Sequence, residues 1–121
     1  MQIHESAEDY LEKILMLKEQ KGVVRSIDIA NAMGYSKPSI SIAMKHLREN
    51  GYITMDQDNH IELTEAGFAI ADRIYNRHLT LTVLLTKLGV PKDIAEKDAC
   101  KIEHDLSPEA FDALKKCSEM L

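Results

Sequence analysis

Apolar residues recur along most of this chain at the three-and-four spacing of one helix face, and they switch to strict alternation in a single place. Tyr10, Leu11, Ile14, Leu15 and Leu17 mark a first helix from about Ser6 to Gln20. Ser6 stands where it can cap that helix, and Glu8 and Asp9 in its first turn suit the helix dipole. Asp9 and Glu12 read as lying off the apolar stripe. Gly22 ends the helix, and Val23-Val24-Arg25 reads as short and extended. Ser26 is placed to cap a short helix from Ile27 to about Met33, with Ile27, Ala30 and Met33 facing inward and Gly34 as its stop. Ser36 caps a third helix, which tolerates Pro38 in its first turn. That helix turns Ile40, Ala43, Met44 and Leu47 inward and Ser39, Ser41, Ile42, Lys45 and Arg48 outward.

Alternation replaces the helical period after Gly51. Tyr52-Ile53-Thr54-Met55 reads as a strand, Asp56-Gln57-Asp58-Asn59 as a turn, and His60-Ile61-Glu62-Leu63 as the returning strand. Two short helices, small polar residues opening the second, and a hairpin directly after it make a winged helix-turn-helix. His60, beside the wing tip, reads as facing solvent or phosphate. Thr64 then caps a long helix reaching about Leu88, with Ile70, Ile74, Leu81, Leu84, Leu85 and Leu88 among its apolar positions. Pro91 opens a helix ending near His104, on which Ile94, Ala95, Ala99 and Ile102 face a core. Ser107 caps a last helix with Pro108 at its first position and Phe111, Leu114 and Leu121 on its apolar side. The predicted fold is mainly α with a small β-hairpin: an N-terminal winged helix-turn-helix followed by a C-terminal helical domain. The apolar surface of the last three helices exceeds what a small winged module covers, so a symmetric homodimer is expected.

A chain of 121 residues with 45% hydrophobic and 29% charged residues is globular in composition. It holds nothing close to the run of about 18 apolar residues a membrane span needs. The opening Met-Gln-Ile-His-Glu-Ser has no apolar segment, so no secretory signal is expected, and two cysteines make no disulfide framework. A reducing cytoplasm follows as the expected setting. The net charge is −5, but between Lys21 and Arg48 five basic residues face one acid, a local +4 that leaves −9 for the remainder. That segment coincides with the helix-turn-helix and changes the reading of an acidic chain: one basic surface points to double-stranded DNA. Ser36, Lys37, Pro38, Ser39, Ser41 and Lys45 form the expected groove-facing surface. Ile42 is placed to touch a thymine methyl, and Arg25 with wing residues to meet flanking phosphates.

The stretch Cys100-Lys101-Ile102-Glu103-His104 carries the candidate chemistry. On a helix, Cys100, Glu103 and His104 fall at i, i+3 and i+4 and share one face. Thiolate, carboxylate and imidazole together suit a divalent transition metal. Three ligands from one helix seldom complete a site, so Asp9 and Glu12 on the first helix and His78 on the long one are further candidates. Taken singly, each of these reads more readily as a solvated polar residue, and the case for metal rests on the set.

These stretches together resemble the diphtheria-toxin-repressor and manganese-transport-regulator (DtxR/MntR) family of metal-dependent bacterial transcription factors. The resemblance rests on Glu5-Ser6-Ala7-Glu8-Asp9-Tyr10-Leu11-Glu12, Asp28-Ile29-Ala30, Ser36-Lys37-Pro38-Ser39-Ile40-Ser41, Leu63-Thr64-Glu65-Ala66-Gly67 and Asp98 through Ser107. It implies a DNA-binding domain over 1–63 and a metal-binding and dimerisation domain over 64–121, without the third, SH3-like domain of one branch. It also implies that Asp9, Glu12, His78, Cys100, Glu103 and His104 are metal ligands. Glu103 and His104 match both branches. Cys100 matches the iron-responsive branch, whereas Asp9, Glu12 and His78 match the manganese branch. Thr82 and Glu96 stand where the iron branch has a glutamate and a histidine of its second site. The hybrid set implies Mn(II) or Fe(II) as co-repressor, with Zn or Co binding in vitro.

Two other function classes are weighed against a metal-activated repressor: a winged-helix regulator indifferent to metal, and a di-iron helical-bundle enzyme. The enzyme would need Glu-x-x-His pairs on two helices. No histidine here follows a glutamate by three residues, and no nucleophile, base and orienting group form a set, so catalysis is not expected.

Overall fold

The computed structural model describes residues 5–121. Residues 1–4, on which part of the secretory-signal reading rests, lie outside the described residues. Among the described residues, six helices and one two-stranded antiparallel hairpin follow in the order α1 (Glu5–Lys21), α2 (Ser26–Met33), α3 (Lys37–Glu49), β1 (Ile53–Met55), β2 (Ile61–Leu63), α4 (Glu65–Lys87), α5 (Lys92–Ile102) and α6 (Pro108–Met120). The chain divides into two compact units, one ending at Asp72 and the other running Arg73–Leu121.

In the first unit α1 packs on α2 and β2, while α3 packs on α2 and β1. The stripes read from the sequence build its core: Leu11, Ile14 and Leu15 from α1, Ile29 and Ala30 from α2, Ile40, Met44 and Leu47 from α3. Local chemistry ends the helices. Gly34 takes the left-handed conformation that only glycine adopts without cost, and its N–H donates to Ala30 O. Ser36 Oγ accepts from the Ser39 N–H at 3.3 Å and so caps α3. At α2 the structure differs from expectation: Ser26 is the first helical residue and Arg25 holds the cap position, its N–H donating to the Asp28 carboxylate at 2.9 Å. Lys21 Nζ donates to the same carboxylate at 2.8 Å. Lys21, ahead of the Arg25 N–H, therefore holds Asp28 below the usual carboxylate range. Ile27 also departs from its inward assignment and is 38% exposed. Glu12 departs the other way: helical spacing set it off the apolar stripe, yet it is 6% exposed, and the first-turn acid Glu8 is buried too, at 8%.

The hairpin pairs Ile53 with Leu63, Thr54 with Glu62 and Met55 with Ile61, so Ile53 and Ile61 face the core while Thr54 and Glu62 face outward. The Ile61 N–H donates to Val24 O at 2.7 Å, which ties the extended Val23–Arg25 segment to the wing. Glu62 forms an ion pair with Lys18 of α1. Thr64 then joins hairpin to helix. Its hydroxyl donates to Gly51 O at 2.7 Å and accepts from the Gly67 N–H at 3.1 Å, while its own N–H donates to Tyr52 O at 3.0 Å. Gly67 is buried against that strand entry, and a β-carbon there would overlap the Tyr52 carbonyl.

The second unit holds the rest of α4 with α5 and α6. Ile74, Leu81 and Leu84 of α4 are buried, as are the small residues Ala95 and Ala99 of α5. Ser107 Oγ accepts from the Ala110 N–H at 3.0 Å and caps α6. Four residues expected in the core are instead exposed: Leu88 at 62%, Ile94 at 46%, Ile102 at 38% and Leu121 at 57%. Leu88 and Leu121 lie past the ends of their helices, and Ile94 and Ile102 lie beside the Ala95–Ala99 strip rather than on it. Among the described residues no helix is long and apolar enough to cross a membrane.

Candidate metal centre and nucleic-acid interface

The second unit brings three of the expected ligands together. His78 comes from the middle of α4, Cys100 from the last turn of α5, and Glu103 from its C-cap, where the N–H still donates to Ala99 O at 3.0 Å. His78 Nδ1 lies 3.0 Å from Glu103 Oε2 and 3.6 Å from Cys100 Sγ. One ligand atom from each of the three lies within 4.8 Å of the others. Ligands bonded at roughly 2.0–2.3 Å to one ion stand roughly 3–4 Å apart, so the observed separations are of the size a bound transition metal requires.

Burial favours the same reading. Glu103 is 0% exposed, and its Oε1 makes no hydrogen bond among the described residues. A buried carboxylate oxygen without a donor is costly, and a divalent cation removes that cost. The other imidazole, His104, follows the helix end in a turn rather than riding on α5; its side chain is 2% exposed and its Nε2 lies 3.5 Å from that same Oε1. Glu103 thus turns one oxygen toward each histidine. The neighbouring thiol of Cys100, and then the Glu103 carboxylate, push the His78 imidazole up to about 10. Cys100 itself is exposed. The remaining two candidates belong to the first unit, where Asp9 is half-buried and Glu12 buried on α1.

One residue that sequence reasoning passed over supports this cluster. Arg77, directly before His78, is 4% exposed and donates from Nη1 to Glu103 O at 3.0 Å and to Leu106 O at 2.8 Å. Its guanidinium lies 5.3 Å from the centre of the Phe111 ring. The turn that presents Glu103 and His104 is therefore held by an arginine from α4. The one signal available was its position, in line with Ile74 and Leu81 on the apolar face.

In the first unit Ser36, Lys37, Pro38, Ser39, Ser41, Ile42 and Lys45 are all exposed along the start and outer face of α3. Ser36 is also committed to its cap and donates its hydroxyl to Ser39 Oγ at 2.9 Å. Lys45 stands 4.0 Å from Glu49, an exposed pair that leaves its charge available to solvent. Arg25 lies across a cleft from α3: Arg25, Ser26, Ile27, Ser41, Met55 and Asn59 line about 380 Å³ between the start of α2, the recognition helix and the wing. Asn59 at the wing tip takes a positive φ of 62°, which asparagine tolerates. His60, read from sequence as facing solvent or phosphate, places Nε2 3.0 Å from Arg25 Nη2.

Two family models match the chain: the N-terminal DNA-binding domain of iron-dependent repressors over residues 2–61, and their metal-binding and dimerisation domain over residues 64–120. An uncharacterised HTH-type transcriptional regulator of Methanocaldococcus jannaschii is 34% identical over 113 residues, covering 92% of this chain and 90% of that protein. The transcriptional regulator MntR of Escherichia coli O6:H1 is 34% identical over 111 residues, covering 92% of this chain and 72% of that protein. A solved manganese-dependent transcriptional repressor in complex with manganese matches with a TM-score of 0.83 at 26% identity, over 95% of this chain. The chain spans 53% of that structure's length.

Proposed function

From the premise that the chain belongs to the iron-dependent repressor family, we propose that it is a metal-activated repressor that binds a double-stranded operator as a homodimer. In this reading residues 1–63 form the DNA-binding domain and residues 64–121 the metal-binding and dimerisation domain, and the protein works in the cytoplasm without catalysing a reaction. The observation that carries it is the convergence of His78, Cys100 and the buried Glu103 in a chain whose other unit is a winged helix-turn-helix. His104, Asp9 and Glu12 complete the proposed ligand set. The bound ion supplies positive charge among these carboxylates. Imidazole and thiolate suit Fe(II), while three carboxylates suit Mn(II), so either serves as co-repressor and Zn or Co binds in vitro. Asp9 and Glu12 ride on a helix of the DNA-binding unit, so ligation by both groups couples metal occupancy to the presentation of α3. There Ser36, Lys37, Pro38, Ser39, Ser41, Ile42 and Lys45 face the groove, with Arg25 on a flanking phosphate.

Free metal at about 100 times its dissociation constant favours the binding-competent state by roughly 2.7 kcal/mol when the other state binds none. That is about a hundredfold in operator affinity. Operator binding followed by fluorescence anisotropy with Mn(II) or Fe(II), and again with excess chelator, tests the proposal. Glu103→Gln, which keeps the shape of the buried side chain, is expected to dimerise normally and lose the metal response. Equal affinity with metal and with chelator would leave a metal-independent winged-helix regulator in its place.

A further inference from the structure

We propose that His60, held by Asp56, is a positioning residue that fixes the Arg25 guanidinium in the wing cleft for one DNA backbone phosphate; the inference rests on the DNA-binding reading above. Arginine only donates hydrogen bonds, so at 3.0 Å from Arg25 Nη2 the His60 Nε2 must be the acceptor. An imidazole accepting at Nε2 carries its proton on Nδ1, and the Asp56 carboxylate, with Oδ2 3.3 Å from Nδ1, favours a proton there electrostatically. The tautomer that Arg25 requires is thus the one the turn favours. Asp56 is itself held there: its Oδ1 accepts from the Asp58 N–H at 2.8 Å and from the His60 N–H at 2.9 Å. The His60 N–H, ahead of the Asp58 N–H, holds Asp56 below the usual carboxylate range and so keeps it an acceptor. Asp56, Asp58 and His60 also group closely enough to ligate an ion, but Asp56 Oδ1 and His60 Nε2 are already engaged in hydrogen bonds.

The consequence falls on Arg25. This side chain is exposed and lies where α2 begins, with Ser41 of the recognition helix and Asn59 of the wing tip lining the same cleft. A free arginine on such a surface loses rotamer entropy when it meets a phosphate. An arginine already hydrogen-bonded to a wing residue loses less, and this exposed guanidinium has further N–H donors for the charge-assisted hydrogen bond. The wing thereby contributes to binding through a protein side chain, in addition to any phosphate it meets itself.

A double-mutant cycle on full-length protein tests this, with Arg25→Ala, His60→Ala and the pair, on duplex DNA over a range of KCl in Mn(II) and again in excess chelator. Arg25→Ala should flatten the salt dependence by roughly 0.9 in slope, the value expected for one phosphate no longer neutralised. His60→Ala should weaken binding roughly three- to tenfold in the wild-type background and by nothing further in the Arg25→Ala background. His60→Gln, whose amide both accepts and donates, should restore most of the affinity. Equal effects of His60→Ala in both backgrounds would show that His60 acts on DNA directly, and no effect in either would show that it positions nothing; each overturns the inference. Neither result touches the metal response of the wild type. If wild-type protein binds no duplex at low salt, the DNA-binding reading and this inference fall together; if it binds without regard to metal, only the metal-activation reading falls.

Discussion

His78 shows how a single proton organises the metal-free cluster. Its imidazole is pushed up to about 10 by Cys100 and then Glu103, from an ordinary value of 6.5. Because the folded value is the higher one, the stabilisation is present in full below the ordinary value and is lost as pH rises through about 10. Without metal, the gap in urea midpoint between wild type and His78→Gln should therefore narrow from neutral pH toward about pH 10. A metal ion takes neutral imidazole and thiolate, so its uptake must expel this proton. Calorimetry near neutral pH in two buffers of different ionisation enthalpy should report at least about one proton released per ion. A binding heat independent of buffer would mean that His78 is already neutral, and the pairing with Glu103 would not be as described.

Among the elements, the junction of hairpin and α4 is the most constrained. Leu63-Thr64-Glu65-Ala66-Gly67 works as a unit: Thr64 binds Gly51 O and Tyr52 O on one side and the Gly67 N–H on the other, and Gly67 lets the helix lie directly on the Tyr52 carbonyl. Backbone stands on both sides of that approach, so neither can yield as a flexible side chain would. Gly67→Ala should cost about 3 kcal/mol despite alanine's better helix propensity. Ala69→Gly, at an exposed site on the same helix, should cost only about 1 kcal/mol through propensity. Urea unfolding of the two variants compares them directly. A neutral Gly67→Ala would show that the approach of α4 to the wing is not tight.

For the molecule as a whole, the basic segment lies in one unit and a further set of exposed apolar side chains in the other. The +4 segment from Lys21 to Arg48 holds the recognition helix, while the unit from Arg73 onward exposes Leu79, Val83, Leu88, Ile94 and Ile102. Leu79 and Val83 line a groove of about 210 Å³ with Thr80, Lys115, Ser118 and Glu119, where α4 meets α6. In the proposed homodimer a second copy under twofold symmetry hides these large apolar side chains from water. Such a dimer presents two recognition helices about 34 Å apart to inverted half-sites. Leu79→Asp combined with Val83→Asp should halve the mass seen by light scattering at micromolar concentration and weaken operator binding at least about tenfold, because only one half-site is then held at a time. An unchanged mass would move the interface elsewhere on the second unit.

Helical period, the caps at Ser36 and Ser107, the stop at Gly34 and the one hairpin were legible in the sequence, because each depends on hydrogen bonds and side-chain spacing within a few residues. The candidate ligands were legible as residue types, and Cys100, Glu103 and His104 as near neighbours. Which of them meet was not: His78 reaches Cys100 and Glu103 across 22 and 25 residues of chain, and that pairing depends on the angle at which α5 packs on α4. The same holds for Arg77 and Leu106, 29 residues apart, and for Arg25 and His60, 35 apart. Periodicity also marks an apolar stripe without saying which edge a neighbour covers, so Ile94 and Ile102 read as core and stand exposed beside the buried Ala95 and Ala99. Glu103 is the sharpest case. Composition makes it one more solvated acid, and only the packing of α5 and the arginine behind it place its carboxylate at zero exposure between two imidazoles, where its charge is balanced by a proton on His78 or by a bound cation.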